Sequence, residues 1–275
     1  MPELPEAETI ARGLSNQLVG WEITGVKNLV PALRNPLNLR KLQKDLVGAK
    51  VTEVTRRGKG IIVKLENGKA VLMQLGMTGA CRICPTGTKL LKHERLIFHL
   101  DNGLDWRYED IRKFGNVQSF TFGDENDTPE FLRSLGVEPL GTDFSGKFLF
   151  ERTRKRICAV KELLLNQKIV AGIGNIYVSE LLYRAKVRPQ REAGTVTRRE
   201  ADLIVDETKS VLLESIAAGG TTISDYKALD GTAGKFEQDL RVYGKAGLAC
   251  AKCGKLIEKI TIGGRSTFYC PRCQR

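Results

Sequence analysis

The sequence predicts an α+β multidomain protein: an all-β body behind one leading helix, a helical middle, and a short cysteine-rich tail. Three observations carry this. Period-two apolar patterning with Asn-Gly turns fills the first half, helical periodicity follows residue 135, and the last 30 or so residues lack the large apolar side chains a core needs.

The leading helix opens with Pro5 in its first turn, where a missing N–H costs nothing, and with Glu6 and Glu8 complementing the dipole. Ile10 and Leu14 share one face. A second short helix fits Leu39–Leu46. Strands are expected over 50–56, 61–65, 70–75, 95–100 and 104–108. Asn67-Gly68 and Asn102-Gly103 each read as a two-residue hairpin turn. Gly and Pro then punctuate 135–141 as a linker. Short helices fit 147–154, 159–166 and 175–185. Thr197-x-x-Glu200 forms a capping box ahead of Ile204, Val205, Val211, Leu212 and Ile216, and Gly219-Gly220 ends that helix.

In the tail, Cys250-x-x-Cys253 and Cys270-x-x-Cys273 present four thiolates from two tight turns, with a strand over 256–262, a Gly263-Gly264 turn and a returning strand over 265–269 between them. The pattern suits one tetrahedral zinc ion, and four thiolates leave no open coordination position, so the zinc is structural. Cys81 and Cys84 share the local spacing without a second pair and read as packed thiols, and Cys158 as an ordinary thiol.

Charge narrows the partner. Lys and Arg number 44 against 32 Asp and Glu, a net charge of +12, which favours a polyanion such as nucleic acid. No signal-like segment or membrane-length apolar run is seen, and seven cysteines without a secretory leader fit a reduced, cytoplasmic setting.

The N-terminus carries chemistry of its own. Pro2 permits removal of Met1, which frees a secondary amine whose pKa of about 8 lies below the roughly 10.4 of a lysine. Such an amine gives an iminium that cannot shed a proton from nitrogen, and so acts as an electron sink. Glu3 and Glu6 beside it are candidates for proton donor and positioning group.

From end to end the chain resembles the formamidopyrimidine-DNA glycosylase (Fpg) branch of the Fpg/endonuclease VIII family. The resemblance rests on Pro2-Glu3-Leu4-Pro5-Glu6 with Glu8-Thr9, Arg56-Arg57-Gly58-Lys59, Leu75-Gly76-Met77-Thr78-Gly79, His93, and Arg112-Lys113-Phe114-Gly115. It continues with Gly172-Ile173-Gly174-Asn175-Ile176-Tyr177, Gly219-Gly220-Thr221-Thr222, Val242-Tyr243-Gly244, the four tail cysteines and Arg265-Ser266-Thr267-Phe268-Tyr269. It implies an N-terminal catalytic β-sandwich (1–134), a helix–two-turn–helix DNA-binding domain (135–240) and a zinc finger (241–275). It also implies base excision repair by a bacterial, nucleoid-associated monomer acting on damaged double-stranded DNA. Oxidised purines would be excised and the strand then cut by β,δ-elimination.

The resemblance assigns roles residue by residue. Pro2 would attack C1′, Glu3 would protonate the sugar ring oxygen, and Lys59 would touch flanking phosphates and assist β-elimination. Asn175 would hold the same phosphates, and Arg265, at the hairpin tip, would assist δ-elimination. Lys161 matches a lysine near the lesion pocket, and His93 and Arg156 match further DNA contacts. Met77, Arg112 and Phe114 match a wedge that fills the hole left by a flipped base. Three positions depart from the family: Gly60 where Tyr is usual, Glu162 where Pro is usual, and His93-Glu94-Arg95 in place of a histidine-acidic-histidine run. Two other readings stand beside this one: an endonuclease VIII-like enzyme for oxidised pyrimidines, and a non-catalytic zinc-ribbon protein that binds DNA.

Overall fold

Pro5 and Glu6 begin the first helix, α1 (Leu4–Leu18), which buries Leu4, Ile10, Leu14 and Leu18 along one side. The computed structural model describes residues 2–222, 229 and 233–275, so Met1, whose removal is expected from the sequence, lies outside the described residues. The chain divides into two compact units, Met1–Arg133 with Ala218–Lys235, and Ser134–Ala217 with Phe236–Arg275.

In the first unit, α1 and α2 (Leu39–Leu46) accompany eight strands: β1 (Glu22–Asn28), β2 (Ala49–Arg57), β3 (Gly60–Leu65), β4 (Lys69–Gln74), β5 (Gly79–Pro85), β6 (Glu94–Leu100), β7 (Leu104–Asp110) and β8 (Asn116–Thr121). Their order is β5-β7-β6-β1-β2-β3-β4-β8, and the pairings are antiparallel. β1 meets β2 through Glu22↔Lys50 and Ile23↔Ala49. The sheet turns at this short seam into two four-stranded layers. Phe98, Trp106 and Tyr108 from one layer share a core with Val51, Ile61, Val63 and Met73 from the other. This is the β-sandwich that the resemblance implied.

Both Asn-Gly hairpins differ from expectation in one respect: their loops, 66–68 and 101–103, have three residues rather than two. In each, the Asn side-chain oxygen accepts the N–H two residues on, from Lys69 and Leu104 at 3.0 Å, and the glycine takes a left-handed φ of 77° or 78°. A one-turn helix, α3 (Glu130–Arg133), closes this part of the chain.

The outer face of the β5-β7-β6 layer holds a buried ion network. Arg107, 2% exposed, binds Asp105 at 2.8 Å and Glu94 at 3.1 Å, while Arg82 also reaches Glu94 and His99 meets Asp105 at 2.7 Å. Burial would raise the Asp105 pKa, but hydrogen bonds from Arg107 and His99 outweigh it and hold the carboxyl below its ordinary range.

The second unit contains α4 (Gly146–Thr153), α5 (Val160–Leu165), α6 (Asn175–Arg184), α7 (Arg198–Ala217) and the hairpin of β9 (Glu258–Ile262) and β10 (Arg265–Tyr269). The capping box forms reciprocally: Thr197 N–H donates to Glu200 at 2.9 Å, and Glu200 N–H to Thr197 Oγ1 at 3.2 Å. The expected linker 135–141 is not a free spacer, because Val137 bridges Val170 in parallel and Gly136 N–H donates to Gln167. Glu180 of α6, wholly buried, accepts the N–H groups of Arg241, Val242 and Tyr243 at 2.8–3.0 Å, which fixes the entry to the tail. Among the described residues, no helix is long and apolar enough to cross a membrane.

Candidate active site and nucleic-acid interface

Pro2 precedes the first turn of α1, and the helix dipole sets its positive end beside it, with the Glu6 N–H capped by the Glu3 side chain. Pro2 is buried and lines a cavity of 170 Å3 together with Lys59, Gln74, Gly76, Phe114 and Phe131. Glu3, 2% exposed, is the helix N-cap. Its N–H donates to Glu6 at 2.8 Å, and the other Glu6 oxygen accepts from Thr221 N–H at 2.8 Å. Glu6 is 1% exposed, so it works as a positioning group that ties the N-terminus to the Gly-Gly-Thr-Thr segment. Glu6 is also expected among the DNA-binding residues, and here both of its carboxylate oxygens are taken up by backbone N–H groups.

Lys59 stands in the two-residue turn between β2 and β3, where Arg57 pairs with Gly60. Arg56 holds this turn by donating to Gly58 O at 2.9 Å, and it pairs with Glu8 of α1 at 2.8 Å. Burial pushes the Glu8 carboxyl up, but hydrogen bonds from Arg56 and Arg12 prevail and keep it below the usual range. At Gly60 a Cβ would lie 2.8 Å from the Phe131 ring and 2.9 Å from Leu72, so the tyrosine usual in the family has no room here.

Met77, Arg112 and Phe114 come together, as expected of a wedge. Arg112 donates to Met77 Sδ at 3.1 Å, and its guanidinium lies 4.5 Å from the Phe114 ring centre. Met77 and Phe114 are 38% and 47% exposed, far more than core residues would be. The two loops touch through backbone: a Cβ at Gly76 would fall 2.6 Å from Gly115 N. The group that organises them carries no signal in the sequence. Asp110, fully buried, accepts from Thr78 Oγ1 (2.6 Å), Gly115 N–H (2.8 Å), Arg112 N–H (3.2 Å) and the Tyr108 hydroxyl (3.2 Å). His93 sits at the same root, its carbonyl accepting from Asp110 N–H and its ring meeting Arg95 at 3.1 Å. Glu94 serves the ion network instead.

In the second unit Arg265 is exposed immediately after the Gly263-Gly264 turn, and Arg156 is exposed on the loop after α4. Lys161 is placed otherwise than expected. It is 0% exposed, and its ammonium donates to Thr267 Oγ1 at 2.7 Å and Ser266 O at 3.2 Å. Here it braces β10 instead of standing open to a lesion. Asn175, first in α6, donates to the same Ser266 carbonyl at 2.9 Å. Glu162 caps α5 through Ala159 N–H at 3.2 Å and borders Gly263 at the hairpin turn.

The four tail sulfurs lie within 4.8 Å of one another, with Cys250–Cys273 at 3.9 Å and Cys253–Cys270 at 3.4 Å. A tetrahedron with Zn–S of about 2.3 Å has sulfurs about 3.8 Å apart, so the set fits one structural zinc. When bound, the ion clamps both turns against Val242, Ile257, Tyr183 and Phe268. Cys81 and Cys84 are buried in β5, and burial pushes the Cys81 thiol up to about 12, as expected of a packed thiol.

A sandwich that holds Pro2 in a cavity, an exposed cluster of Met77, Arg112 and Phe114, a helical unit and a four-cysteine hairpin bearing an exposed arginine define a zinc-finger DNA glycosylase. Family models match along the chain: the formamidopyrimidine-DNA glycosylase N-terminal domain at residues 1–117, its H2TH domain at 135–227, and the zinc finger found in FPG and IleRS at 247–275. The chain belongs to the formamidopyrimidine-DNA glycosylase family. It is 43% identical to the Thioalkalivibrio sulfidiphilus formamidopyrimidine-DNA glycosylase and 44% identical to that of Novosphingobium aromaticivorans, with all of each chain covered. Among solved structures, a Lactococcus lactis Fpg variant bound to Fapy-dG-containing DNA matches with a TM-score of 0.91 at 35% identity over both whole chains. MutM (Fpg) of Thermus thermophilus matches at 0.88 and 36%, covering 99% of this chain and 98% of that one.

Proposed function

We propose that this glycosylase excises oxidised purines, 8-oxoguanine and formamidopyrimidines, from duplex DNA and then cuts the strand as an AP lyase, with the Pro2 amine as nucleophile. The observation that carries this reading is the shared cavity of Pro2 and Lys59, with Glu3 capping the helix beside it. The amine adds to C1′ as the bond from C1′ to the base nitrogen breaks, and the base leaves with that electron pair and takes up the proton that the amine nitrogen sheds. Glu3 gives its proton to the ring oxygen as the sugar opens, leaving a cationic iminium between Pro2 and C1′. Loss of a C2′ proton into that sink expels the 3′ phosphate, assisted by Lys59. A second elimination, assisted by Arg265, expels the 5′ phosphate.

Residues 1–134 would then supply chemistry, 135–240 the duplex grip and 241–275 the arginine-bearing finger. His93, Arg156 and Asn175 would contact the backbone, and Met77, Arg112 and Phe114 would fill the vacated stack. The protein would work as a monomer on damaged duplex DNA in the cytoplasm. One solved relative, the Lactococcus lactis Fpg, is seen with oxidised-pyrimidine-containing DNA, so a pyrimidine lesion belongs in the test as a second arm.

The test is borohydride trapping on 8-oxoguanine opposite cytosine, with a thymine-glycol duplex in parallel. Wild type should cross-link through residue 2, and Pro2→Gly should lose most trapping and nicking. Full nicking by Pro2→Gly, or by protein retaining Met1, would falsify the nucleophile. Faster excision of thymine glycol would move the substrate to pyrimidines.

A further inference from the structure

We infer that Phe131 is a positioning residue for Lys59, acting through the space that Gly60 leaves free of a side chain. The inference rests on the lyase reading above and names a residue on which that reading is silent.

The ring touches the site from two directions. It forms part of the wall of the cavity holding Pro2 and Lys59, and it lies where any side chain on residue 60 would begin. Lys59 occupies a turn only two residues long, so a shift at Gly60 passes directly to the lysine. Arg56 holds the turn through Gly58 O, and Phe131 supports its other shoulder. Without the ring, that shoulder would lose its packing.

Phe131 is itself well held. Its one-turn helix, α3, packs Phe131 and Leu132 against Ile62, Ala70, Leu72 and Phe120 on the face of β3, β4 and β8 away from the main core. Leu132 N–H donates to Pro129 O at 2.8 Å. The loop leading to it is pinned where Asp127 accepts from the N–H and the hydroxyl of Thr121 at 2.6 and 2.8 Å. Those bonds hold the Asp127 carboxyl below its ordinary range. The ring therefore reaches Gly60 from a braced support, and with Leu72 it occupies the place where a side chain on residue 60 would begin.

This pairing predicts a size exchange. Phe131→Ala should slow nicking of a preformed abasic site about tenfold or more at saturating enzyme, since misplacing a catalytic group by about 1 Å costs up to about a hundredfold. Duplex affinity should stay within about twofold, because the phosphate contacts elsewhere remain. Gly60→Ala should slow nicking in the same way by pushing against the ring. Gly60→Ala combined with Phe131→Ala should nick faster than Gly60→Ala alone, as the new methyl group then meets only the far end of the Leu72 side chain, which can turn toward the space the ring vacates.

Thermal melting of each variant monitors folding, and Phe131→Leu, which keeps apolar volume, should recover part of the rate. Wild-type nicking by Phe131→Ala or by Gly60→Ala overturns the inference, and so does a double variant no better than Gly60→Ala. If Phe131→Ala does not fold, Gly60→Ala and Phe131→Leu still decide. Pro2→Gly separates the two readings. If it nicks normally, the nucleophile assignment fails. If it is inactive while the Phe131 and Gly60 variants match wild type, only the present inference falls.

Discussion

Asp110 shows how much one buried carboxylate can organise. It accepts from donors in both wedge loops, and the positions of Met77, Arg112 and Phe114 follow from those bonds. Asp110→Ala would strand the buried Gly115 N–H and take an acceptor from Thr78, Arg112 and Tyr108, and an unsatisfied buried group costs about 1–3 kcal/mol. Its melting temperature should fall, and excision should slow opposite every base because the wedge is no longer set. Arg112→Ala should behave differently. A guanidinium can donate to O2 and N3 of cytosine, whereas adenine offers N1 beside its own amino donor. That variant should lose the preference for cytosine over adenine opposite 8-oxoguanine, while Met77→Ala should slow excision opposite both. Equal cleavage opposite the two bases by wild type would remove Arg112 as the reader. Met77, Arg112 and Phe114 were named through the family resemblance, and the structure brings the three side chains together. Asp110 was not named, since an acidic residue after a strand looks like any turn charge until its donors are known.

At the scale of elements, strong patterns were readable and weak ones were not. The capping box, α1, α2, α7 and the zinc hairpin stand where periodicity and turn residues placed them. β1, β5 and β8 passed unnoticed for local reasons: Gly25 interrupts the first, the second carries two cysteines and ends in Pro85, and polar residues dilute the third. α3 is too short to show a period, so Phe131 had no signal. Lys161 was readable as important but not as buried, because its partners come from a hairpin about a hundred residues away. Lys161→Met should keep zinc and overall fold but loosen β10. Nicked products should then shift from β,δ-elimination toward β-elimination alone, as end-group analysis would show; an unchanged product ratio would count against the brace. α7 has its own test. Arg191 pairs with Glu200 at 2.7 Å and holds its carboxyl at about 2, against an ordinary 4.5. A depressed carboxyl contributes stability that is complete above the ordinary value and lost as pH falls through the folded one. Glu200→Gln should therefore be less stable than wild type at pH 7, and the gap should close between about pH 5 and pH 2. A constant gap in melting temperature across that range would exclude the linkage.

For the whole molecule, the +12 charge and the zinc set the terms of DNA binding. Lys59→Ala and Arg265→Ala should each remove a charged phosphate partner and reduce the slope of log affinity against log salt by about one, whereas Asn175→Ala, which removes a neutral donor, should weaken binding at an unchanged slope. Glu3→Gln should leave that slope unchanged and fail in excision. Cys250→Ser should release zinc and abolish duplex binding, because the metal's affinity is the tail's folding energy. Metal analysis finding no zinc in active wild type would sink this. One hydrogen bond also reaches into the protein's synthesis. Glu6, among the first residues translated, finds the Thr221 N–H 215 positions later. A ribosome adding about 5–20 residues per second needs at least about ten seconds to supply that partner. The N-terminus that carries the proposed nucleophile is thus made first and completed late. A chain stalled midway would carry the proposed nucleophile without its finished setting, and premature termination should yield inert fragments, not unguided DNA-cutting ones.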